Sequence, residues 1–406
     1  MPFDQLIVVM MENHSFDNLL GALPLTHADV DGLTFAGGVA TNSNPGAPGM
    51  PASVTAFPLH DSTQGPDVSQ TWADSHAQID GGAMDGFVRT AKSPQPMGYY
   101  TPDALPFAYS LASTFTLANR WFSSLPGPTY PNRRFLLAGT AYGTTVTQGD
   151  PLIAESPHSG TVFGLLSDHN ITWSDYFSDV PMSVVVGRDV LLHADHHHMI
   201  DRFFSDCSAG TLPQVSFVDP RIGVASRIGK PIRDLPSPFR EWLQSIDADL
   251  TGADEAETEE EPQNLYYGET WAHSVVQAVL ASPQWPRICM IYLYDEHGGY
   301  YDHVPPPAAV APDDIAPVLA PGDPQVGYTQ YGPRVPAVVI SPHSRPGGVS
   351  DVVHDHTSVL ATIEAKWNLP ALTRRDAGAH DVMDFLDPSH AALLVPPTVA
   401  APRPLD

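Results

Sequence analysis

Two pairs of residues with oxygen-bearing side chains each directly follow an apolar run of the sequence: Glu12 with Asn13, and Asp295 with Glu296. One such pair is typical of a surface turn. Two pairs, each followed by a histidine, are more typical of a shared site, and carboxyl ends of parallel strands open onto a common crevice. Carboxylate and amide oxygens suit Ca²⁺, Mg²⁺ or Mn²⁺, and carboxylates also accept Zn²⁺. Without a cation, clustered carboxylates repel one another and raise their own pKa values. We therefore expect a bound divalent metal ion at these residues.

A hydroxyl group follows a Gly/Pro turn at Thr129, immediately before a helical stretch. The positive end of a helix and its free N–H groups bind phosphate, and a cation in contact with the hydroxyl lowers its pKa and makes it a usable nucleophile. The alternative is structural, because a threonine at the start of a helix commonly serves as its N-cap.

Short apolar runs alternate with helical stretches, a pattern that predicts a parallel sheet covered on both faces. The predicted strands are residues 6–11, 172–176, 214–218, 288–294 and 337–340. The predicted helices are residues 107–114, 132–141, 267–281 and 357–367. We therefore expect an α/β fold, a doubly wound, mostly parallel sheet with helices on both faces and long lid loops.

One domain is expected over residues 1–395, with a Pro- and Ala-rich surface tail at 396–406. Three stretches interrupt the alternation and are predicted as loop insertions: a Gly/Pro/Ser-rich segment at 36–65, an acidic segment at 245–263 and a Pro-rich segment at 304–324.

Composition limits the partners. The 406-residue chain has a formal net charge of −27, which argues against binding to a nucleic-acid backbone. No apolar run is long enough for a membrane helix. If Met1 is the native start, the chain is expected in the cytoplasm; if a leader was removed, it is periplasmic or secreted. Cys207 and Cys289 are predicted to be buried thiols.

Five blocks together resemble the signature of the bacterial phosphoesterase family, which includes non-specific phospholipases C and metal-dependent acid phosphatases within the alkaline phosphatase superfamily. They are MENHSFD at 11–17, PGPTYPNR at 126–133, YDEHGGYYDHV at 294–304, GPRVP at 332–336 and HDHTS at 354–358. The resemblance extends over nearly the whole chain and implies an alkaline phosphatase-like fold.

The resemblance also implies roles. Glu12, Asn13, Asp295 and Glu296 match the single-metal ligands, and Thr129 matches a nucleophile that also touches the metal. The family's mechanism has two steps, in which a phosphothreonine forms as the alcohol leaves and water then hydrolyses it.

Histidines and Arg334 are expected to support this chemistry. His303 and His356 are candidates for proton transfer or phosphate contact, and His76 and His197 are further candidate catalytic imidazoles. A buried structural role is the alternative for His303. Arg334 is a candidate phosphate ligand, with anchoring of a strand edge as its alternative.

Aromatic residues are candidates for the substrate surface. Tyr130 and Tyr301 are expected to help form a choline-accepting wall, although aromatic side chains more commonly belong to the core. Two positions depart from the family's pattern: Gln70 and Glu260 stand where relatives usually carry histidines. Loss of imidazoles that protonate the leaving alkoxide would slow the chemistry by about a hundredfold or more. The alternative is that neighbouring histidines or Glu260 take over this role.

The resulting expectation is a phospholipase C-like phosphodiesterase acting on a small phosphoester or a phospholipid headgroup, with transient contact to a membrane surface and an undetermined oligomeric state. Two alternatives remain open. One is an acid phosphatase that uses the same site; the other is a degenerate member that binds a metal or phospho-ligand without turnover.

Overall fold

An eight-stranded sheet forms the centre of the molecule in a computed structural model, which describes the chain except for residues 61, 63–64, 66–67, 148–156, 188, 222–263 and 405–406. The strands are β1 Gln5–Met11, β2 Phe35–Ala36, β3 Val39–Ala40, β4 Ser43–Pro45, β5 Ser53–Thr55, β6 Phe57–Pro58, β7 Gly98–Tyr99, β8 Thr116–Ala118, β9 Trp173–Phe177, β10 His197–Met199, β11 Val215–Asp219, β12 Ile288–Tyr294, β13 Ala337–Ile340 and β14 Val349–Ser350.

The main sheet has the order β10-β9-β11-β1-β12-β13-β8-β14. Its first five strands run parallel, whereas β13 is antiparallel to both of its neighbours. The predicted doubly wound, mostly parallel sheet is thus confirmed. β1 and β12 lie side by side at its centre, and nearly all of their residues are buried because both faces of the sheet are covered.

Helices connect and cover these strands. They are α1 Phe16–Leu20, α2 Trp72–Ile79, α3 Phe87–Ala91, α4 Pro106–Thr114, α5 Thr129–Ala138, α6 Val162–Asp168, α7 Asp189–Leu192, α8 Ile200–Ala209, α9 Leu265–Ala281, α10 Thr357–Trp367 and α11 Arg374–Ala377. Among the described residues, none of the helices is both long and apolar enough to cross a membrane.

Helix α5 starts three residues earlier than the sequence pattern predicts. Pro131 lies in its first turn, where a missing N–H is tolerated because that group has no partner within the helix. The helix ends at Gly139, which adopts a left-handed backbone with φ +70°. Thr129 is therefore the first residue of the helix.

The predicted insertions have different structures. The segment 36–65 contains the strand pair β4 and β5 and also β6, which pairs with β7 outside the segment, whereas the segment 304–324 contains no helix or strand. The third insertion, 245–263, lies outside the described residues. In the tail, Val399 is buried and the Ala400 N–H donates to Ser110, so this part of the tail is attached to the body. Cys207 and Cys289 are both buried free thiols, as predicted.

Candidate active site

The pairing of β1 with β12 brings together Glu12 and Asp295, the residues that directly follow these two strands. Met11 is the register partner of Tyr294, so Glu12 and Asp295 leave the sheet side by side. The Asp295 N–H donates to the Met11 carbonyl oxygen, and the Asn13 N–H donates to Asp295 Oδ1 at 3.1 Å. Residues 282 positions apart therefore share one strand end.

A tight turn fixes the second acidic pair. The Glu296 N–H donates to Asp295 Oδ1 at 2.7 Å, and the Gly298 N–H donates to Glu296 Oε2 at 2.7 Å. Gly298 has φ +63°, and a Cβ there would lie 1.9 Å from the Asn13 carbonyl oxygen. Glycine is thus required, because the turn packs directly against the backbone of the first pair.

Thr129 reaches the same place from α5. Its hydroxyl donates to Asn13 Oδ1 at 3.3 Å, and the residue is buried. The N-cap position belongs to Pro128, and no side chain caps the helix there. The hydroxyl of Thr129 therefore points towards the strand ends, and the N-cap alternative does not describe it. The positive end of α5 lies at this point.

Arg133, one turn further along α5, carries a buried positive charge into the site. Its Nε lies 3.0 Å from Asp295 Oδ2, and one of its terminal nitrogens lies 3.6 Å from Asp219. Burial raises the pKa of Asp295 to about 6; Arg133 opposes this shift and the charge of Glu12 adds to it. Burial raises the pKa of Asp219 to about 6 as well, again against the effect of Arg133.

The types of these residues suit a divalent cation, but the carboxylate oxygens of Glu12, Asp295 and Glu296 do not all lie within 4.8 Å of one another. Oxygen donors are available from the five predicted residues, Glu12, Asn13, Thr129, Asp295 and Glu296. With Asp219, four buried carboxyl groups lie at these strand ends, and among the described residues Arg133 is the only lysine or arginine paired with Asp295 or Asp219. The excess of negative charge is what a bound cation would compensate.

A second cluster of acidic side chains lies around Asp17 and Asp302. In the part of the chain that the structure describes, the one set of three His, Cys, Asp or Glu side chains with potential ligand atoms within 4.8 Å of one another is Asp17, Asp302 and His303. The guanidinium of Arg334 already supplies a cation there. It bonds Asp302 through two nitrogens, at 2.9 and 3.0 Å, and approaches Asp17 at 3.3 Å. We therefore place no metal ion in this set.

Arg334 and His303 need correction as candidates for substrate contact. The remaining Arg334 donors bind the carbonyl oxygens of Asp31 and Asn119, and the residue is fully buried, so the anchoring alternative describes it better than a phosphate contact. His303 lies 2.7 Å from Asp17 and 3.2 Å from Asp31 through its two ring nitrogens. Burial lowers the pKa of His303, but the Asp17 charge and both hydrogen bonds raise it to about 10, as expected of a structural ion pair.

His356 and His197 are also engaged by the protein. His356 Nε2 lies 2.6 Å from the Asp295 carbonyl oxygen, and its Nδ1 accepts from the Trp121 indole at 3.4 Å. His197 bonds the His193 carbonyl and the Ser183 hydroxyl. Burial lowers the pKa values to about 4 for His356 and about 3 for His197. Neither imidazole keeps a nitrogen for substrate, so the predicted proton-transfer role is not supported.

His76 is placed differently. Its Nδ1 donates to the Trp72 carbonyl oxygen at 2.7 Å, its ring packs 4.5 Å from the Trp72 ring, and it is only partly buried. Trp72 in turn lies against Gly127, which precedes Thr129 by two residues; a Cβ added to Gly127 would be 3.7 Å from the Trp72 ring. Burial lowers the pKa of His76. Of the four predicted histidines, this one remains a candidate for proton transfer.

The two predicted aromatic contacts are mostly buried. Tyr130 is 7% exposed, and Tyr301 is 8% exposed and packs edge-on against Phe87. Both rings contribute to the core, so only their small exposed parts are available to a ligand. Of the two departures from the family's pattern, Gln70 accepts a hydrogen bond from the Ser75 hydroxyl through its backbone carbonyl oxygen, and Glu260 lies outside the described residues.

Sequence reasoning missed three residues of the site. Asp219 ends β11 after an apolar run, which is the signal that identified Asp295, and it was overlooked. Arg133 lies within a quoted block, one helical turn after Thr129, a spacing that places both side chains on one helix face. Trp121 had no such signal, because only the folded chain brings it to His356.

Comparison with known proteins identifies the family of the chain. The model of the phosphoesterase family matches residues 3–370. "Non-specific phospholipase C1" of Arabidopsis thaliana is 28% identical over 404 residues, covering 93% of this chain and 70% of the relative. "Phospholipase C B" of Mycobacterium tuberculosis is 28% identical over 417 residues, covering 93% of this chain and 76% of the relative.

Among solved structures, a protein in the alkaline phosphatase superfamily from Vibrio parahaemolyticus aligns with a TM-score of 0.37 and 12% identity, over 88% of this chain and 78% of that one. Likeness at this level supports no conclusion about this chain. The family match, by contrast, covers most of the chain and includes both strand ends and Thr129. The chain therefore belongs to the phosphoesterase family and is a hydrolase of phosphoric ester bonds.

Proposed function

We propose that this chain is a phospholipase C-like phosphodiesterase that forms a phosphothreonine at Thr129 beside one divalent cation. The observation that carries the proposal is the meeting of Thr129, Asn13 and Asp295 through hydrogen bonds of 3.3 and 3.1 Å. A nucleophilic hydroxyl, oxygen ligands and excess buried negative charge at one strand end are the parts that such a reaction needs.

The five predicted ligands, Glu12, Asn13, Thr129, Asp295 and Glu296, would hold the cation. When bound, it would supply positive charge to the phosphoryl oxygens and lower the pKa of the attacking hydroxyl. The positive end of α5 adds to the stabilisation of the same oxygens.

In the first step, the Thr129 oxygen bonds to phosphorus as the bond from phosphorus to the alcohol oxygen breaks. The proton lost by the hydroxyl leaves with the alcohol. In the second step, water bonds to phosphorus, the bond to Thr129 breaks, and Thr129 regains a proton. His76 is the candidate base for that water, because its Nδ1 donates to the Trp72 carbonyl oxygen, its ring is only partly buried, and burial lowers its pKa and so favours the neutral imidazole.

The relatives' names favour a phosphodiester over a phosphomonoester. Several of the similar proteins are called phospholipases C, so we propose a phospholipid or a smaller phosphodiester as the substrate. An acid phosphatase would use the same nucleophile and cation, and only the walls of the pocket would differ.

The test compares p-nitrophenylphosphorylcholine with p-nitrophenyl phosphate as substrates of the metal-loaded protein. We expect a higher kcat/KM for the diester. A higher value for the monoester would contradict the phospholipase C-like assignment in favour of a phosphatase. Absence of hydrolysis above the level of Thr129→Ala would indicate the degenerate alternative, a member that binds without turnover.

Thr129→Ser is the matched variant, because it keeps the hydroxyl and removes only a methyl group. We expect Thr129→Ser to retain turnover and Thr129→Ala to lose it while still binding a cation. Acid quenching followed by mass spectrometry should find the phosphoryl group on residue 129. Full activity in Thr129→Ala would refute the nucleophile assignment.

A further inference from the structure

We propose that His356, held by Trp121, is a positioning residue that sets the orientation of Asp295 and Glu296, the two ligands at the end of β12. The inference rests on the proposed metal centre and deepens it. It replaces the proton-transfer role expected for His356 from the sequence.

The peptide unit that joins Asp295 to Glu296 is held at both of its polar ends. Its carbonyl oxygen lies 2.6 Å from His356 Nε2. Its N–H donates to Asp295 Oδ1 at 2.7 Å. Two opposed hydrogen bonds on one planar unit fix the dihedral angles on either side of it, and those angles determine where the two carboxylates point.

The carbonyl oxygen of Asp295 depends on this histidine because the sheet ladder has ended. The register of β12 with β13 ends at Leu293, opposite Ala337, and the last hydrogen bond on this side runs from the Tyr294 N–H to the Pro336 carbonyl oxygen. On the other side, the Asp295 N–H is used by Met11. His356 is fully buried, so it supplies a partner where water is excluded, and an unpaired buried carbonyl would be costly.

Trp121 determines the tautomer of His356. An indole N–H is only a donor, so the His356 Nδ1 that lies 3.4 Å from it must be the acceptor. The ring proton therefore stays on Nε2, facing the Asp295 carbonyl oxygen. Trp121 is itself fixed: it is fully buried and stacks on His354 at 5.3 Å.

Backbone contacts of Trp121 with two neighbouring segments place it beside His356. The Val335 N–H donates to the Trp121 carbonyl, and Trp121 forms a bridge with His354, two residues before His356. Trp121 follows β8 and His354 follows β14, so these contacts connect the ligands at the end of β12 to the edge of the sheet that β8 and β14 form. Groups that orient metal ligands typically contribute about 10–100-fold to metal affinity.

The test measures cation binding by calorimetry, independently of turnover. Mg²⁺, Ca²⁺, Mn²⁺ and Zn²⁺ are each titrated into metal-free protein, and the cation that binds most tightly is used for the variants. We expect His356→Leu to raise its Kd by about 10–100-fold. His356→Gln, whose amide keeps a donor, should fall between the leucine variant and the wild type.

Two further variants separate positioning from general damage. Trp121→Phe keeps the aromatic packing but removes the indole donor, and we expect a smaller rise in Kd than for His356→Leu. His380→Ala, an exposed histidine near His354, should leave the Kd unchanged. Thermal unfolding of each metal-free variant shows whether it is folded.

The outcomes distinguish this inference from the proposed function. If the wild type binds none of the four cations, the proposed metal centre and the positioning role are both wrong. If the wild type binds a cation and folded His356→Leu and Trp121→Phe both bind it equally well, only the positioning role is overturned. Failure of His356→Gln to bind better than a folded His356→Leu would also overturn it.

Discussion

Replacement of Arg133 by methionine tests the charge balance of the site. This guanidinium is fully buried between Asp295 and Asp219, and it also donates to the carbonyl oxygens of Met10 and Met11. Methionine keeps much of the volume and removes the charge. The variant leaves buried carboxylates without their internal cation, so we expect a large loss of stability in metal-free protein.

The magnitude follows from the separations. At an effective dielectric constant of about 20, charges 3.0 and 3.6 Å apart attract by about 5 kcal/mol for each pair. Desolvation of the guanidinium offsets much of this, and removal of one partner from a buried ion pair costs about 3–5 kcal/mol. We therefore expect Arg133→Met to lower the free energy of unfolding by about 3–5 kcal/mol without metal.

A bound divalent cation should reduce that loss. It supplies positive charge to the same carboxylates, so Arg133→Met should bind the cation more tightly than the wild type does and gain more stability from it. Both free energies are obtained from urea unfolding, once with a chelator and once with saturating cation.

Arg134→Met is the matched control. Arg134 is buried on the same helix, but its hydrogen bonds go to the carbonyl oxygens of Val185 and Ala141 and to the Thr144 hydroxyl. Its loss should cost the same with and without cation. If Arg133→Met also loses equal stability under both conditions, the assignment of Arg133 as the internal counter-charge of the site is refuted.

Two further substitutions probe a buried carboxyl pair and the turn after β12. Glu364 is buried on α10, and burial together with neighbouring Asp376 raises its pKa to about 9. The folded state thus holds a proton that the unfolded state releases near pH 4.5, so stability should fall as the pH rises from about 4.5 to 9. The melting temperature of Glu364→Gln should not show this fall with pH. If the melting temperature of the variant falls with pH as steeply as that of the wild type, the raised pKa of Glu364 is not its cause. Gly298→Ala should cost more than the about 1–2 kcal/mol of a left-handed backbone alone, because its Cβ meets the Asn13 carbonyl oxygen. Gly37→Ala, with φ +59° and no atom within 4 Å, should show only the backbone cost, and equal losses in chemical unfolding would argue against the contact.

Strand periodicity predicted the central sheet well, because strands buried on both faces appear as uninterrupted apolar runs. The predicted 288–294 and 337–340 segments have the bounds found for β12 and β13. The antiparallel direction of β13 was not readable, since an apolar run has the same pattern in either direction. Short strands such as β8 and β14 escaped because two or three residues carry too little periodicity.

The sequence by itself determined which residue types stand at the strand ends, and it predicted that Glu12 and Asp295 would meet because the carboxyl ends of parallel strands open onto a common crevice. That β1 and β12 are neighbours was decided by the tertiary structure. Only the tertiary structure decided which charged and imidazole side chains belong to that edge. Arg334 and His303 lie in quoted blocks, yet their partners Asp17 and Asp31 are 272 to 317 residues away in the chain. Long-range packing decides these hydrogen-bond partners, and it produces no pattern in the local sequence. A sequence therefore shows where a histidine or an arginine stands, but not which acceptor its side chain binds.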